Sequence, residues 1–161
     1  MPAATPADSR WMLRAIDLSR RCVPAPGAYS VGAVLVDVDG GPLASGYSRE
    51  TDPWAHAEEV ALARLAPGDP RLRTATLYST LEPCSQRTSR RWSCTERILR
   101  ARIPRVVIAW REPSLFVPDC QGCELLARAG VTVVELAALA APAAAVNAHL
   151  GVGRSPGAAA R

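Results

Sequence analysis

Hydrophobic positions along the chain switch between a helical and an alternating period, and the switches mark the elements. Trp11, Ala15, Leu18 and Cys22 recur at helical spacing. They predict a first helix over about 10–21, with Cys22 as a core residue. Asp8 or Ser9 stands where that helix would be capped, and the Pro- and Ala-rich residues 1–8 are expected to be disordered. Pro24, Pro26 and Gly27 end the helix in a loop. Val31 to Val36 is apolar on both alternating faces, the pattern of a central strand covered on both sides. The turn at 37–41 is short, so the strand at 43–47 completes an antiparallel hairpin. A second helix is predicted over 56–66, stopped by Pro67-Gly68-Asp69-Pro70.

Residues 74–80 read as a third strand that runs directly into Glu82-Pro83-Cys84. The polar, arginine-rich stretch 85–93 reads as a loop, and Ser93 stands as the cap of a helix over 94–101. Strands follow at 105–110 and 131–135, separated by a helix over 120–129 that Gly130 caps. A last helix is expected over 139–150. The order is α-β-β-α-β-α-β-α-β-α. Strands separated by helices form parallel crossovers. The prediction is a three-layer α/β/α fold: one five-stranded mixed sheet, antiparallel at its first hairpin, with helices on both faces. Residues 9–150 form one domain and 151–161 a flexible tail. No internal repeat is visible.

Three short stretches carry candidate chemistry. His56-Ala57-Glu58, Pro83-Cys84 and Cys94 together supply a histidine and two cysteines, which are tetrahedral zinc ligands. Three protein ligands leave a fourth position open, the pattern of a catalytic zinc site. Glu58 is then free to carry protons. Taken one by one, the same residues are a buried histidine, a surface glutamate and two unrelated thiols; the Pro-Cys directly after a strand makes the set specific. In the predicted architecture the ligands arrive at strand-to-helix junctions, where unpaired N–H groups favour a thiolate. Cys120 and Cys123 form a Cys-x-x-Cys that reads as a redox pair, a competing metal pair or incidental free thiols. Trp54 and Trp92 flank the ligands and either stack on a flat ring or pack locally. Glu82 is placed to orient its loop through backbone hydrogen bonds. His149 reads as a cation near a helix C-terminus.

Composition narrows the class. The 161 residues, 48% hydrophobic and 21% charged, describe one ordinary globular domain. No apolar run approaches the roughly 18 residues of a membrane span, and residues 1–8 lack the features of a signal peptide. A cytoplasmic location and no membrane partner are expected. Five cysteines, an odd number, favour metal ligands and spare thiols over a disulfide framework. The net charge of +4 comes from arginine, much of it between Arg87 and Arg111. That cluster fits a phosphate on a substrate, with Arg87 the first candidate, or a compositional bias toward Ala, Arg and Pro. Nucleic acid is not the favoured partner, because stacking aromatics are few and Phe116 is the only phenylalanine.

His56-Ala57-Glu58 with Pro83-Cys84 and a later cysteine resembles the signature of the zinc-dependent cytidine-deaminase-like superfamily, whose glutamate is an acid/base and not a ligand. The resemblance covers about residues 10–150. It implies a zinc cofactor, a small heterocyclic amine as substrate, loss of ammonia, and a homodimer. Residues 31–36 and 52–58 resemble the tRNA-adenosine and guanine deaminases, but those have a shorter intercysteine spacing. The nine residues between Cys84 and Cys94 are similar instead to the deaminase domain of riboflavin biosynthesis. So are Thr80-Leu81-Glu82-Pro83-Cys84-Ser85, residues 105–109 and Asn147, and Glu112-Pro113-Ser114 stands where that family has an Asp-Pro-Asn-Pro stretch. Glu112 thereby joins Arg87, Trp54 and Trp92 as a candidate substrate contact.

Departures from the family concentrate around the pocket. Gly27-Ala28-Tyr29 replaces a Pro-Asn-Pro, Gln86 replaces a histidine, and Ser89-Arg90-Arg91-Trp92 follows Arg87-Thr88 where the family has prolines. A fused reductase domain is not expected. The implied function is hydrolytic deamination of a pyrimidine-type nucleoside or nucleotide, or of a riboflavin-pathway-like aminopyrimidine, with or without a phosphate. An adenine-, guanine- or nucleic-acid-base deaminase and a non-catalytic zinc-binding interaction domain are the alternatives.

Overall fold

The hairpin forms as β1 (Gly32–Val36) and β2 (Pro42–Tyr47), followed by β3 (Thr76–Leu81), β4 (Arg105–Trp110) and β5 (Thr132–Glu135). In the computed structural model, which describes residues 2–113, 115–116 and 119–151, these strands make one sheet in the order β2-β1-β3-β4-β5. β1 runs antiparallel to both β2 and β3, while β3, β4 and β5 are mutually parallel. The helical crossover after β2 carries the chain past β1, so β3 pairs on β1's other edge. This leaves β1 paired on both edges and buried at every position, as its unbroken apolar run requires.

Helices cover both faces, the α/β architecture that the pattern predicts. On one face α2 (Ala57–Ala63), α3 (Cys94–Ala101) and α4 (Gly122–Arg128) pack Ala61, Ile98 and Leu126 against Leu35, Leu77 and Ile108. On the other, α1 (Pro6–Ser19) and α5 (Ala140–Ala145) pack Met12, Ile16 and Ala143 against Val34, Tyr78 and Val107. Alternate residues of β1 and β3 therefore feed two separate cores, each large side chain contributing about 1.5–3 kcal/mol by burial. Gly32 permits the close seat of α1: a Cβ there would lie 1.9 Å from the Ala15 carbonyl oxygen.

Several boundaries differ from the sequence expectation. α1 begins at Pro6, capped by Thr5, and not at Arg10 after a disordered 1–8. Thr5 accepts the Asp8 N–H while the Asp8 carboxylate accepts the Thr5 N–H, a capping box that orders residues 5–8. A 3₁₀ turn, Pro70–Thr74, delays β3. α4 starts at Gly122, so Cys120 lies outside it. The expected last helix is broken into α5 and flanking 3₁₀ turns at Ala137–Leu139 and Ala148–Leu150. Apart from Gly151, the tail expected at 151–161 lies outside the described residues, as do Ser114 and Pro118. Among the described residues no helix is long and apolar enough to cross a membrane.

Candidate active site

Three chain segments converge where β3 ends. β3 delivers Glu82-Pro83-Cys84, and α2 and α3 begin beside it, with His56 as the N-cap of α2 and Cys94 as the first residue of α3. His56 makes no side-chain cap bond, so its ring faces the thiols. Its Nδ1 lies 3.3 Å from Cys94 Sγ and 3.6 Å from Cys84 Sγ. The three donor atoms lie within 4.8 Å of one another, and they are the group of His, Cys and acidic side chains that can hold a metal ion among the described residues. Tetrahedral zinc with bonds of about 2.0–2.3 Å would set such donors roughly 3.5–3.8 Å apart, so the set fits.

The N-terminus of α3 acts on Cys84. The Cys94 N–H, at the start of α3, donates to Cys84 Sγ at 3.3 Å. A hydrogen bond from the Cys94 thiol, the His56 ring and that N–H hold the Cys84 pKa well below the usual thiol value despite burial. The same thiol–thiol bond, burial and the Glu58 charge push Cys94 the other way.

Glu58 is 4% exposed and belongs to the first turn of α2. Ser79, from the middle of β3, donates its hydroxyl to Oε1 at 2.9 Å, and Oε2 lies 3.5 Å from Cys94 Sγ. Burial raises the Glu58 pKa, outweighing the nearby His56. A carboxyl held next to the metal-binding donors and biased toward its protonated form is suited to take up a proton and release it.

This centre forms one wall of a cleft of about 240 Å³, whose other lining includes Tyr29, Arg49, Trp54 and Glu112. A largely buried centre on the wall of a small, part-polar cleft suits a small-molecule site. Residues 5–110 match the model of the cytidine and deoxycytidylate deaminase zinc-binding region. The chain belongs to this deaminase family. Zinc is its metal, and the His56, Cys84 and Cys94 set has the chemistry to accept it. The chain is 41% identical over 127 residues to the diaminohydroxyphosphoribosylamino-pyrimidine deaminase of Schizosaccharomyces pombe, covering 78% of this chain and 31% of that protein. It is 38% identical over 105 residues to the tRNA-specific adenosine deaminase of Haemophilus influenzae, covering 62% of this chain and 56% of that one. RibD of Acinetobacter baumannii superposes with a TM-score of 0.74 at 29% identity, over 91% of this chain and 40% of that chain. The chain thus spans about a third of the length of the first of these relatives.

The family's deaminase core brings Trp54 and Glu112 to the cleft and leaves two other expected contacts outside it. Trp54 is 62% exposed on the rim. Arg87 is a correction. Its side chain is 3% exposed, and its guanidinium is held by the Glu59 carboxylate and the Trp54 carbonyl, so it is absent from the cleft lining. Trp92 is the second correction: it lies on the outer surface between α2 and α3, with Arg100 and Arg91 over its ring. The cause is the same for both. The loop 85–93 folds back over α2, where Arg87 and Arg90 clamp Glu59. Tyr29 belongs to the Gly27-Ala28-Tyr29 segment marked as a departure near the pocket, whereas Ser79 and Arg49 were not singled out from the sequence. Ser79 had a signal, a hydroxyl inside an otherwise buried strand; Arg49, with φ +61° at the cleft edge, had none.

Proposed function

We propose that the chain is a zinc-dependent hydrolytic deaminase of an aminopyrimidine, with His56, Cys84 and Cys94 as the metal ligands and Glu58 as the proton carrier. The observation that carries this reading is the meeting of His56 Nδ1, two thiols and the buried Glu58 beside one cleft, which His56, Glu58 and Cys84 line. Zinc supplies Lewis acidity at an open coordination position, the catalytic pattern for a three-ligand site. Glu58 does the rest of the proton work. Its Oε2 faces the metal side, its Oε1 is steered by Ser79, and its raised pKa lets it hold a proton taken from water and pass it to the departing amino nitrogen. Water adds to the ring carbon, the C–N bond breaks, and ammonia leaves with the carbon as a carbonyl.

Support for an aminopyrimidine comes from the Schizosaccharomyces pombe relative, whose name specifies a diaminohydroxyphosphoribosylamino-pyrimidine. An anionic substituent on the substrate would be met by Arg49 and not by Arg87. Arg49 lines the cleft, and its guanidinium donates to neutral oxygens of Val23, Tyr29 and Ser30 with no carboxylate partner among the described residues. The likeness to a tRNA-specific adenosine deaminase supports a second reading, action on a base within nucleic acid. A homodimer in the cytoplasm, where thiol ligands stay reduced, completes the proposal.

The test is ammonia release from a panel of aminopyrimidine nucleosides and nucleotides, an aminopyrimidinone ribosyl phosphate and a tRNA anticodon stem-loop. Glu58→Gln is expected to retain stoichiometric zinc by metal analysis and to lose activity by about 10²–10⁴-fold. An active Glu58→Gln enzyme, or a zinc-loaded wild type inert toward the whole panel, sinks the reading. Release from the stem-loop alone moves it to the second one. Light scattering at micromolar concentration decides the dimer.

A further inference from the structure

Both peptide groups of one residue on the cleft rim are held by the same pair of arginines. The Trp54 carbonyl accepts from Arg87 Nη2. The Trp54 N–H donates at 2.8 Å to Asp52 Oδ1, and Asp52 Oδ2 accepts from Arg90 Nη2. The two arginines share an anchor on α2: Glu59 Oε2 accepts from Arg87 Nη1, and Glu59 Oε1 accepts from Arg90 Nε at 3.0 Å. The remaining nitrogen of Arg87, Nε, donates at 3.2 Å to the Ser89 hydroxyl. Each guanidinium nitrogen of Arg87 thus holds a different segment, and two of the residues held, Trp54 and Ser89, line the cleft beside His56 and Glu58. A rigid fork of N–H groups suits this task; a lysine ammonium is a single point on a flexible stem. What the pinned backbone carries is an exposed ring. Trp54 is 62% exposed, and among the described residues no aromatic ring or guanidinium stacks on it. An exposed tryptophan alone needs no explanation. One fixed at both peptides, at the mouth of a cleft, by an arginine whose side chain is 3% exposed is a rigid platform.

We propose that Arg87 is a positioning residue: seated on Glu59, it fixes the mouth of the cleft and presents the Trp54 indole as a face on which the flat heterocycle of the substrate stacks. This rests on the deaminase reading for the class of substrate and adds what holds the mouth in shape. Arg87 does not itself line the cleft, so it acts through Trp54 and Ser89. Stacking on an indole needs only a planar ring, and it adds to the area that the ring buries. A platform set before binding spares the entropy of ordering it around the ligand. Ser89 gains from the same seat: its oxygen accepts from Arg87, which leaves its own proton to donate at the cleft.

The experiment compares zinc-loaded wild type with Arg87→Lys, which keeps a charge for Glu59 and gives up the fork, with Trp54→Ala, a change at an exposed site, and with the double variant. The probes are cytidine 5′-monophosphate and a 2,4-diaminopyrimidine. In protein labelled with 5-fluorotryptophan, the Trp54 fluorine line is assigned by its loss in Trp54→Phe. It is expected to be single and narrow in the wild type, broadened or split in Arg87→Lys, and to move when a probe is added. By calorimetry Trp54→Ala should bind about tenfold more weakly, a loss within the range for one stacked base. Arg87→Lys should lose several-fold, and in turnover the change should fall on KM more than on kcat. The double variant should fall well short of the product of the two losses, since one residue acts through the other. A Trp54 line that no probe moves overturns the assignment. So do losses that simply multiply, an unchanged Trp54 line in Arg87→Lys, or loss of zinc or of the fold in that variant, which would make the arginine purely structural. A wild type that binds the probes but releases no ammonia defeats the deaminase reading and leaves the binding comparison to judge Arg87.

Discussion

Glu58 and Glu82 each stand two residues from a proposed zinc ligand, and both are almost fully buried. Their surroundings give them different work. Glu82 Oε1 accepts the Cys123 N–H and Oε2 accepts the Glu112 N–H, both at 3.1 Å, so its two oxygens tie the approach to Cys84 to α4 and to the loop after β4. This is the orienting role expected for it from the sequence. Glu58 meets a hydroxyl and a thiol instead, and keeps an oxygen on the side of the donors. Replacing Glu82 with Ala would strand two N–H donors, at about 1–3 kcal/mol apiece. We expect Glu82→Ala to lose about 2–5 kcal/mol in urea denaturation and to bind zinc more weakly in a chelator competition. Glu82→Gln, which keeps one acceptor, should be milder. Equal stability of Glu82→Ala and wild type would show that the loop is held by other contacts.

Among the elements, α3 was the most legible and the loop before it the least. Ser93-Cys94-Thr95-Glu96 carries its own capping box, and both reciprocal bonds form, Ser93 Oγ with the Glu96 N–H and Glu96 Oε2 with the Ser93 N–H. Local chemistry therefore sets where Cys94 falls on the helix. Nothing local says where Arg87 and Trp92 go, because Glu59, the partner that holds Arg87, lies 28 residues away. The start of α4 depends on a contact still more distant in sequence. A Cβ on Gly122 would lie 2.0 Å from the Pro83 carbonyl oxygen, so only glycine lets α4 sit against Pro83-Cys84. Gly122→Ala is expected to shift that peptide, lowering zinc affinity at least tenfold along with a destabilisation of about 1–3 kcal/mol for overpacking. A variant with unchanged zinc affinity would show that the Cys84 loop tolerates the movement.

Across the whole molecule, a buried polar cluster ties the first helix to the sheet on the α1 face. Asp8 of α1 accepts two bonds from Arg105 of β4, each at 2.8 Å, and one from the Tyr78 hydroxyl of β3 at 2.8 Å. Burial alone would raise the Asp8 pKa, but the bonds from Arg105, the Thr5 N–H and Tyr78 outweigh it and hold the carboxyl well below the usual range. A carboxyl with a lowered folded pKa contributes stability above its unfolded value of about 3.9, and loses it as pH falls below that toward the folded value. Stability of the wild type should therefore decline steadily below about pH 4, and Asp8→Asn should flatten that slope. At pH 7 the same variant should be less stable by about 3 kcal/mol, since Arg105 loses its counter-charge. An unchanged acid slope in Asp8→Asn would assign acid unfolding to other carboxylates.

Element order, the five-stranded mixed sheet and the candidate zinc set followed from the sequence, because each rests on short-range chemistry: alternation in strands, 3.6-residue spacing and caps in helices, and donor types that suit one metal. Strand-to-helix junctions then bring His56, Cys84 and Cys94 to one end of the sheet. Tertiary structure alone decided what surrounds that centre. It buried Asp8, the capping-box residue of α1, against Arg105. It turned Arg87 inward to Glu59 and set Arg49 and Tyr29 on the cleft. The physical reason is range. A ligand set declares itself by the elements of its donor atoms. A specificity pocket is made of whichever side chains remain without partners once distant segments have packed, and pairings such as Arg87 with Glu59 leave no periodic trace in the chain.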